Sequence, residues 1–326
     1  MCTSISMYEG IYGRNLDLDH SFGQEVIITP RRYPFTFQQG EPLQEHPAMI
    51  GTATNFQGYP LYAEAMNEYG LYMAGLNFPG NADYSSHINL AAAAYAPYEL
   101  IPWILGTCKT VQQAKQQLAD FQILNKPIVP QIPLAPLHWQ IADEKATIVL
   151  EIMQDGIHIY DDPIGVLTNN PPFPFHQYNL RQYRHLSANA DHVGFPAQQD
   201  LETFGEGMGA IGLPGDFSPA SRYVKAAFLK WTAAPAAEEE QQIQQFFHIL
   251  DGVAMVKGSV ITKEGNYDIT IYSCALSKKT KTYYYKTYDC SQIHMIRMED
   301  VDLNASRLFT HPMQENVNFQ LEKAIE

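Results

Sequence analysis

The sequence opens "MCTSISMYEG IYGRNLDLDH", with one of its four cysteines directly after the initiator methionine. Cysteine is small enough for methionine aminopeptidase to remove Met1, so a mature chain starting at Cys2 is expected. Such a residue carries a thiol and a free α-amine together. The amine has a reference pKa of about 7.7–8.0, so an appreciable fraction is neutral near pH 7 and can accept the thiol proton, directly or through one water. Nucleophile and base then arrive on one residue. The competing expectation is an inert terminal cysteine, and Cys2 alone does not decide between them.

Two helpers follow in "GRNLD", where Arg14 and Asp17 stand on what reads as the returning strand of a hairpin. A guanidinium near a thiol favours the thiolate, and a carboxylate accepting from the α-amine would orient it. The same pair on a hairpin is otherwise a surface ion pair. Attack on an amide carbonyl also needs donors where the oxyanion forms, each worth roughly 10²–10³ in rate. Asn77 in "AGLNF" and Asn169 in "VLTNNP" are candidates, although asparagine at a strand end also serves turns.

Other chemistries find little support. The eleven histidines are scattered, and no H-E-x-x-H, G-x-S-x-G or strand-to-helix GxGxxG is present. "GEGMGAIGLPGD" is glycine-rich but lacks a phosphate loop's lysine, which leaves a pocket or interface loop. Cys2, Cys108, Cys274 and Cys290 form no C-x-x-C pair, so neither zinc nor a disulfide framework is indicated. Reduced thiols and a cytoplasmic location are expected, with no metal and no cofactor. The N-terminus has no basic region leading into an apolar run, and no stretch approaches a membrane span. A net charge of −14, from 35 acidic against 21 basic residues, repels phosphate backbones and argues against nucleic acid. Recognition of an anion must therefore come from a few placed arginines, of which Arg14 and Arg222 are the candidates.

The elements that must position these residues can be read coarsely. Alternation over Cys2 to Met7 and Ile11 to Leu18, with Glu9-Gly10 between, predicts an N-terminal β-hairpin. "EVIITP", "PAMIGTAT" and "GLYMAGLNF" read as further strands. "APYELIPWILGTC" and "TVQQAKQQLADFQI" read as a helix pair, the second capped by Thr110 with Val111, Ala114, Leu118 and Phe121 on one face. "ATIVLEIM" and "GIHIYD" form a hairpin about Asp155-Gly156, and "TNNPPFPF" excludes regular structure in its middle. "PASRYVKAAFLKWTA" and "AEEEQQIQQFFHILDGVAMV" predict a second helix pair, and three strands end the pattern. No linker marks a boundary, so residues 1–326 are expected to form one layered α+β domain.

The segments beginning Met-Cys-Thr, with "YGRNLDLDHSFGQ", "YGLYMAGLNFPG", "IPLAPLHW", "GVLTNNPPF", "GMGAIGLPGDFSPASRYVKAAF" and "QFFHILDGVAMVKGS", together resemble the choloylglycine hydrolase family. Within it the likeness is greatest to the bile salt hydrolases, in unbroken order from Cys2 to about residue 300. The resemblance implies an N-terminal-nucleophile hydrolase with the four-layer αββα fold of antiparallel sheets. Its substrate would be the amide joining a bile acid to glycine or taurine. It further implies Cys2 as nucleophile, Arg14 and Asp17 as the catalytic arginine and aspartate, and Asn169 as side-chain oxyanion donor. Asn77 would be a neighbouring donor through its backbone, and Arg222 the remaining active-site arginine.

By the same analogy Leu16, Phe22, Phe56, Ile128 and Ile132 should line a steroid trough, and the protein should be a homotetramer. Penicillin V acylases, which share nucleophile and fold, tend to carry tyrosine where Asn77 stands, so asparagine favours bile salts. Gly205-Glu206-Gly207 replaces the Ser-Arg of some relatives, which favours glycine over the sulfonate of taurine. The rivals are an acylase for penicillin V or an acyl-homoserine lactone, and, outside catalysis, a cytosolic ligand-binding protein with Met1 retained.

Overall fold

The computed structural model describes residues 1–7, 10–84, 93–190, 201–317 and 319–324. Its early strands are β1 (Cys2–Met7), β2 (Ile11–Leu18), β3 (Glu25–Thr29), β4 (Met49–Phe56), β5 (Tyr59–Asn67), β6 (Tyr72–Asn77) and the short β7 (Ala93–Tyr95). Helices α1 (Leu100–Thr107) and α2 (Val111–Gln117) follow, then β8 (Phe121–Ile123), β9 (Leu137–Ala142), β10 (Thr147–Met153), β11 (Gly156–Asp161) and β12 (Val166–Leu167). Helices α3 (Phe173–Leu180), α4 (Pro219–Thr232) and α5 (Glu239–Asp251) precede β13 (Ile269–Ser277), β14 (Thr282–Thr287), β15 (His294–Arg297) and β16 (Phe309–Pro312).

One sheet has six strands in the order β12-β1-β2-β13-β14-β15, and the other has eight in the order β11-β10-β9-β6-β5-β4-β3-β16. Neighbours in both run antiparallel. Polar bonds cross from sheet to sheet: Ser4 on β1 donates to Gln140 on β9 at 2.7 Å, and Tyr272 on β13 donates to Glu64 on β5 at 2.6 Å. The sheets therefore lie face to face. Helices α4 and α5 cover the outer face of the six-stranded sheet, and α1 packs on β5 and β6 of the other. The result is the expected αββα sandwich.

The covering helices explain why β1 and β2 are buried on both faces although they carry serines, threonine and asparagine. Asn15 donates to Leu250 O of α5 at 2.8 Å, which satisfies one such group. Gly13 permits this layer to close. A Cβ there would stand 2.0 Å from Cys274 O and 2.8 Å from the Phe246 ring. Helix α4 starts where chemistry says it should, with Ser218 accepting from Ser221 N and Pro219 as its first residue.

Several local expectations shift. Thr110 does cap α2, accepting from Gln113 N at 3.2 Å, but the helix stops at Gln117 and Phe121 begins β8, which pairs in parallel with β7. The loop between β10 and β11 is Gln154-Asp155, one residue earlier than Asp155-Gly156, because Gly156 already pairs with Met153. In the proline run, α3 starts at Phe173 with Pro174 in its first turn, where a missing N–H costs nothing. Glu9 of the anticipated first turn lies outside the described residues; Gly10 is in the left-handed region at φ 78°. Strands β5 and β9 have weak alternation and were not anticipated; both are central in their sheet.

Candidate active site

The β1–β2 register pairs Cys2 with Leu16 and Ser4 with Arg14. Side chains directly opposite on antiparallel strands share a face, so the Cys2 thiol, Leu16 and Arg14 all point between the two sheets. Thr3, Asn15 and Asp17 point the other way, toward α4 and α5. The Cys2 nitrogen, at the start of the strand, is the atom both faces can reach.

On the outer face Arg222 of α4 threads into the sheet. Its Nη1 donates to Cys2 O and, at 2.7 Å, to Thr3 Oγ1; its Nη2 donates to Asn169 Oδ1 at 2.7 Å. Cys2 N donates to the same Asn169 oxygen at 2.8 Å. With Oδ1 accepting twice, Asn169 Nδ2 faces Asn77 O and donates to it at 2.7 Å. One N–H of that amide is thereby used and one is left over. Four of the anticipated residues, Cys2, Asn77, Asn169 and Arg222, thus form one connected network drawn from β1, the end of β6, the turn after β12, and α4.

Asp17 is fully buried; its Oδ1 accepts from Thr270 at 2.6 Å and its Oδ2 lies 4.0 Å from Arg222 Nη1. Oδ2 has no hydrogen-bond partner among the described residues. Burial raises the Asp17 pKa above the usual carboxylate value, and Arg222 and the chain's terminal amine oppose that rise. Arg222 feels the converse, since burial lowers its pKa while Asp17 and Cys2 oppose the fall. Met1 occupies the adjoining space: its amine donates to Asp17 O at 2.6 Å and to Asp268 Oδ2 at 3.2 Å, and its carbonyl accepts from Asp17 N at 2.9 Å.

On the inner face Arg14 is 1 % exposed and reaches across to the eight-stranded sheet. Its Nη1 donates to Gly75 O at 2.6 Å and Ala63 O at 3.2 Å, and stands 3.8 Å from Glu64 Oε2. Desolvation by burial opposes its charge, but Cys2, Tyr272, Glu64 and Tyr72 around it raise its pKa overall. The guanidinium is a fixed positive charge beside the thiol.

Cys2, Arg14 and Asn77 open on a cavity of about 260 Å³. Its other walls are mainly apolar, from Leu16 and Leu18 of β2, Leu61 and Ala63 of β5, Ile101 of α1 and the 128–135 loop. Phe22, Ile128 and Ile132 line it too. Phe56 does not, because it sits at the tip of the β4–β5 hairpin paired with Tyr59, beyond the cavity wall. Gly205, Glu206 and Gly207 are exposed and lie outside the lining.

Sequence reasoning passed over Glu64, Thr270, Asp268 and the carbonyls that hold Arg14. Each lies far along the chain from the group it touches, and a backbone carbonyl has no residue type to signal it. A buried carboxylate on a mainly apolar strand, as Glu64 is in "YPLYAEAMN", was the one available hint.

A family model described as linear amide C–N hydrolases, choloylglycine hydrolase family, matches residues 2–311. A bile salt hydrolase/transferase of Lactiplantibacillus plantarum is 41% identical over 98% of this chain and 99% of its own. A protein of the same description from Clostridium perfringens is 36% identical, with 98% of each chain covered. Among solved structures, a conjugated bile acid hydrolase from Clostridium perfringens superposes with a TM-score of 0.91 at 34% identity over 99% of this chain and all of that one. A penicillin V acylase from Agrobacterium tumefaciens shares the fold, with a TM-score of 0.75 at 16% identity over 95% of this chain and 90% of that one.

Proposed function

This chain belongs to the choloylglycine hydrolase family of linear amide C–N hydrolases, and from that premise we propose that it hydrolyses the amide of conjugated bile salts with Cys2 as nucleophile. The observation that carries the reading is the placement of Cys2: its thiol beside the Arg14 charge in the wall of an apolar cavity, and its nitrogen bonded to Asn169. The relatives named as bile salt hydrolases, aligned end to end, support the substrate.

The acting form begins at Cys2. With Met1 gone, the nitrogen that now donates as an amide becomes a primary amine beside Asn169 Oδ1, and Asp17, whose backbone Met1 held, is the carboxylate assigned to orient it. That amine takes the thiol proton as sulfur adds to the substrate carbonyl carbon, and Arg14 stabilises the developing thiolate. The oxyanion accepts from the free N–H of Asn169 and from backbone at Asn77. The C–N bond then breaks, the leaving amine takes its proton from the α-ammonium, and a thioester remains on Cys2. Water, deprotonated by the same amine, attacks the thioester; sulfur leaves and is reprotonated.

The steroid skeleton fills the apolar cavity against Leu16, Phe22, Ile128 and Ile132, and each 100 Å² of apolar surface buried there is worth about 2.5 kcal/mol. Glycine is the preferred conjugate in this reading, since the 205–207 loop, exposed and outside the cavity lining, brings no arginine to pair with a sulfonate. The protein works in the cytoplasm, where its free thiols stay reduced, as a homotetramer. Parallel assays on glycocholate, taurocholate and phenoxymethylpenicillin test the reading. Glycocholate turnover well above the other two is expected, and penicillin turnover without bile salt turnover would overturn it.

A further inference from the structure

Asn169 is held from behind as well as in front. His176 of α3 is buried, and its Nε2 donates to Asn169 O at 2.9 Å and to Pro171 O at 3.1 Å. Its other nitrogen has no partner among the described residues, so the ring is neutral with its proton on Nε2. The ring stacks on Tyr223, the neighbour of Arg222, at 5.1 Å between centroids.

A second imidazole holds the preceding peptide. His138 of β9 is fully buried, with Nε2 2.9 Å from Thr168 O and Nδ1 3.0 Å from Glu151 Oε1. A carbonyl can only accept, so Nε2 carries a proton, and Glu151, which also accepts from Phe173 N at 3.0 Å, holds the ring from its other nitrogen. The His138 ring is stacked on Phe78, the residue after Asn77, at 4.3 Å and 5° between planes.

We infer that His176 and His138 are positioning residues that grip the carbonyls on either side of Asn169 and so aim its side chain at the Cys2 nitrogen and the oxyanion. Neither histidine itself lines the cavity. The inference rests on the roles of Cys2 and Asn169 proposed above. Between them the two rings fix both peptide planes that flank Asn169, and each is braced against a residue adjacent to another member of the network. An error of about 1 Å in such a group costs on the order of 10²-fold in rate.

The test is a cycle of four proteins: the parent, His176→Phe, Asn169→Ala and the double variant. Two readouts are taken, kcat and KM for glycocholate and the rate of Cys2 alkylation by iodoacetamide, followed by mass on the N-terminal peptide. His176→Phe keeps the stacking and removes the donor, and is expected to lower kcat about tenfold with KM within about twofold. His176→Gln, which retains a donor near Nε2, should recover most of that loss. In the Asn169→Ala background His176→Phe should cost less than about twofold more, because the residue it aims is already gone. Alkylation should follow the same non-additive pattern. An equal loss in both backgrounds, or no loss at all, overturns the inference. If the parent leaves glycocholate intact, the proposed substrate fails, and the alkylation cycle still decides the clamp. His176→Leu, smaller and equally without a donor, replaces His176→Phe if that variant does not fold.

Discussion

The Cys2 nitrogen lies 2.8 Å from Asn169 Oδ1, while the same asparagine's Nδ2 is 2.7 Å from Asn77 O. One side chain therefore holds the group proposed as base with one end and faces the strand end proposed to bind the oxyanion with the other. Removing it should remove both services at once.

Asn169→Ala is accordingly expected to lower kcat on glycocholate by about 10²–10³ with KM nearly unchanged, the signature of an interaction made chiefly in the transition state. Cys2→Ser is expected to leave activity near background. Full turnover by the serine variant would remove Cys2 from the mechanism.

Met1 is held by three hydrogen bonds to Asp17 and Asp268, and its presence converts the proposed base to an amide. Chain that retains Met1 should be inactive, and activity should rise in proportion to the fraction of molecules whose intact mass shows Met1 removed. Equal activity in retained and processed fractions would contradict the role given to the α-amine.

The cavity wall makes a paired prediction. Ile128→Ala should raise KM for glycocholate about fivefold, corresponding to about 1 kcal/mol of lost apolar contact, with kcat little affected. Phe56→Ala, outside the wall, should leave KM alone. A larger effect at Phe56 than at Ile128 would move the steroid to a different surface.

Burial pushes the His176 pKa from 6.5 to about 4. The folded state thus resists a proton that the unfolded chain accepts, so the contribution to stability is intact above pH 6.5 and declines as pH falls toward 4. The loss amounts at most to about 3 kcal/mol. His176→Gln has no such group, and its thermal midpoint should fall less between pH 7 and 4 than the parent's. Parallel pH profiles for the two proteins would show that His176 is not a buried neutral ring.

Much of this protein was legible in the chain itself. The alternation of Cys2 to Met7 and Ile11 to Leu18 predicts a hairpin, and the resemblance across the chain names its family and residues. The period of two also carried a fact that was there to be used: Arg14 and Asp17 are three apart, so they cannot share a face of the strand. The structure puts the first beside the thiol between the sheets and the second under α4. What the chain order could not convey is which distant group meets which. Asn169 and Arg222 reach the Cys2 nitrogen from a turn and a helix far along the sequence. Arg14 is held by the carbonyls of Gly75 and Ala63, which no side-chain pattern announces. Phe56 looks as apolar as Phe22, yet only the packing of hairpin against loop decides which of them faces the cavity. Local residue types determine the chemistry available at each position, and long-range packing of the two sheets and their covering helices decides which of those positions meet.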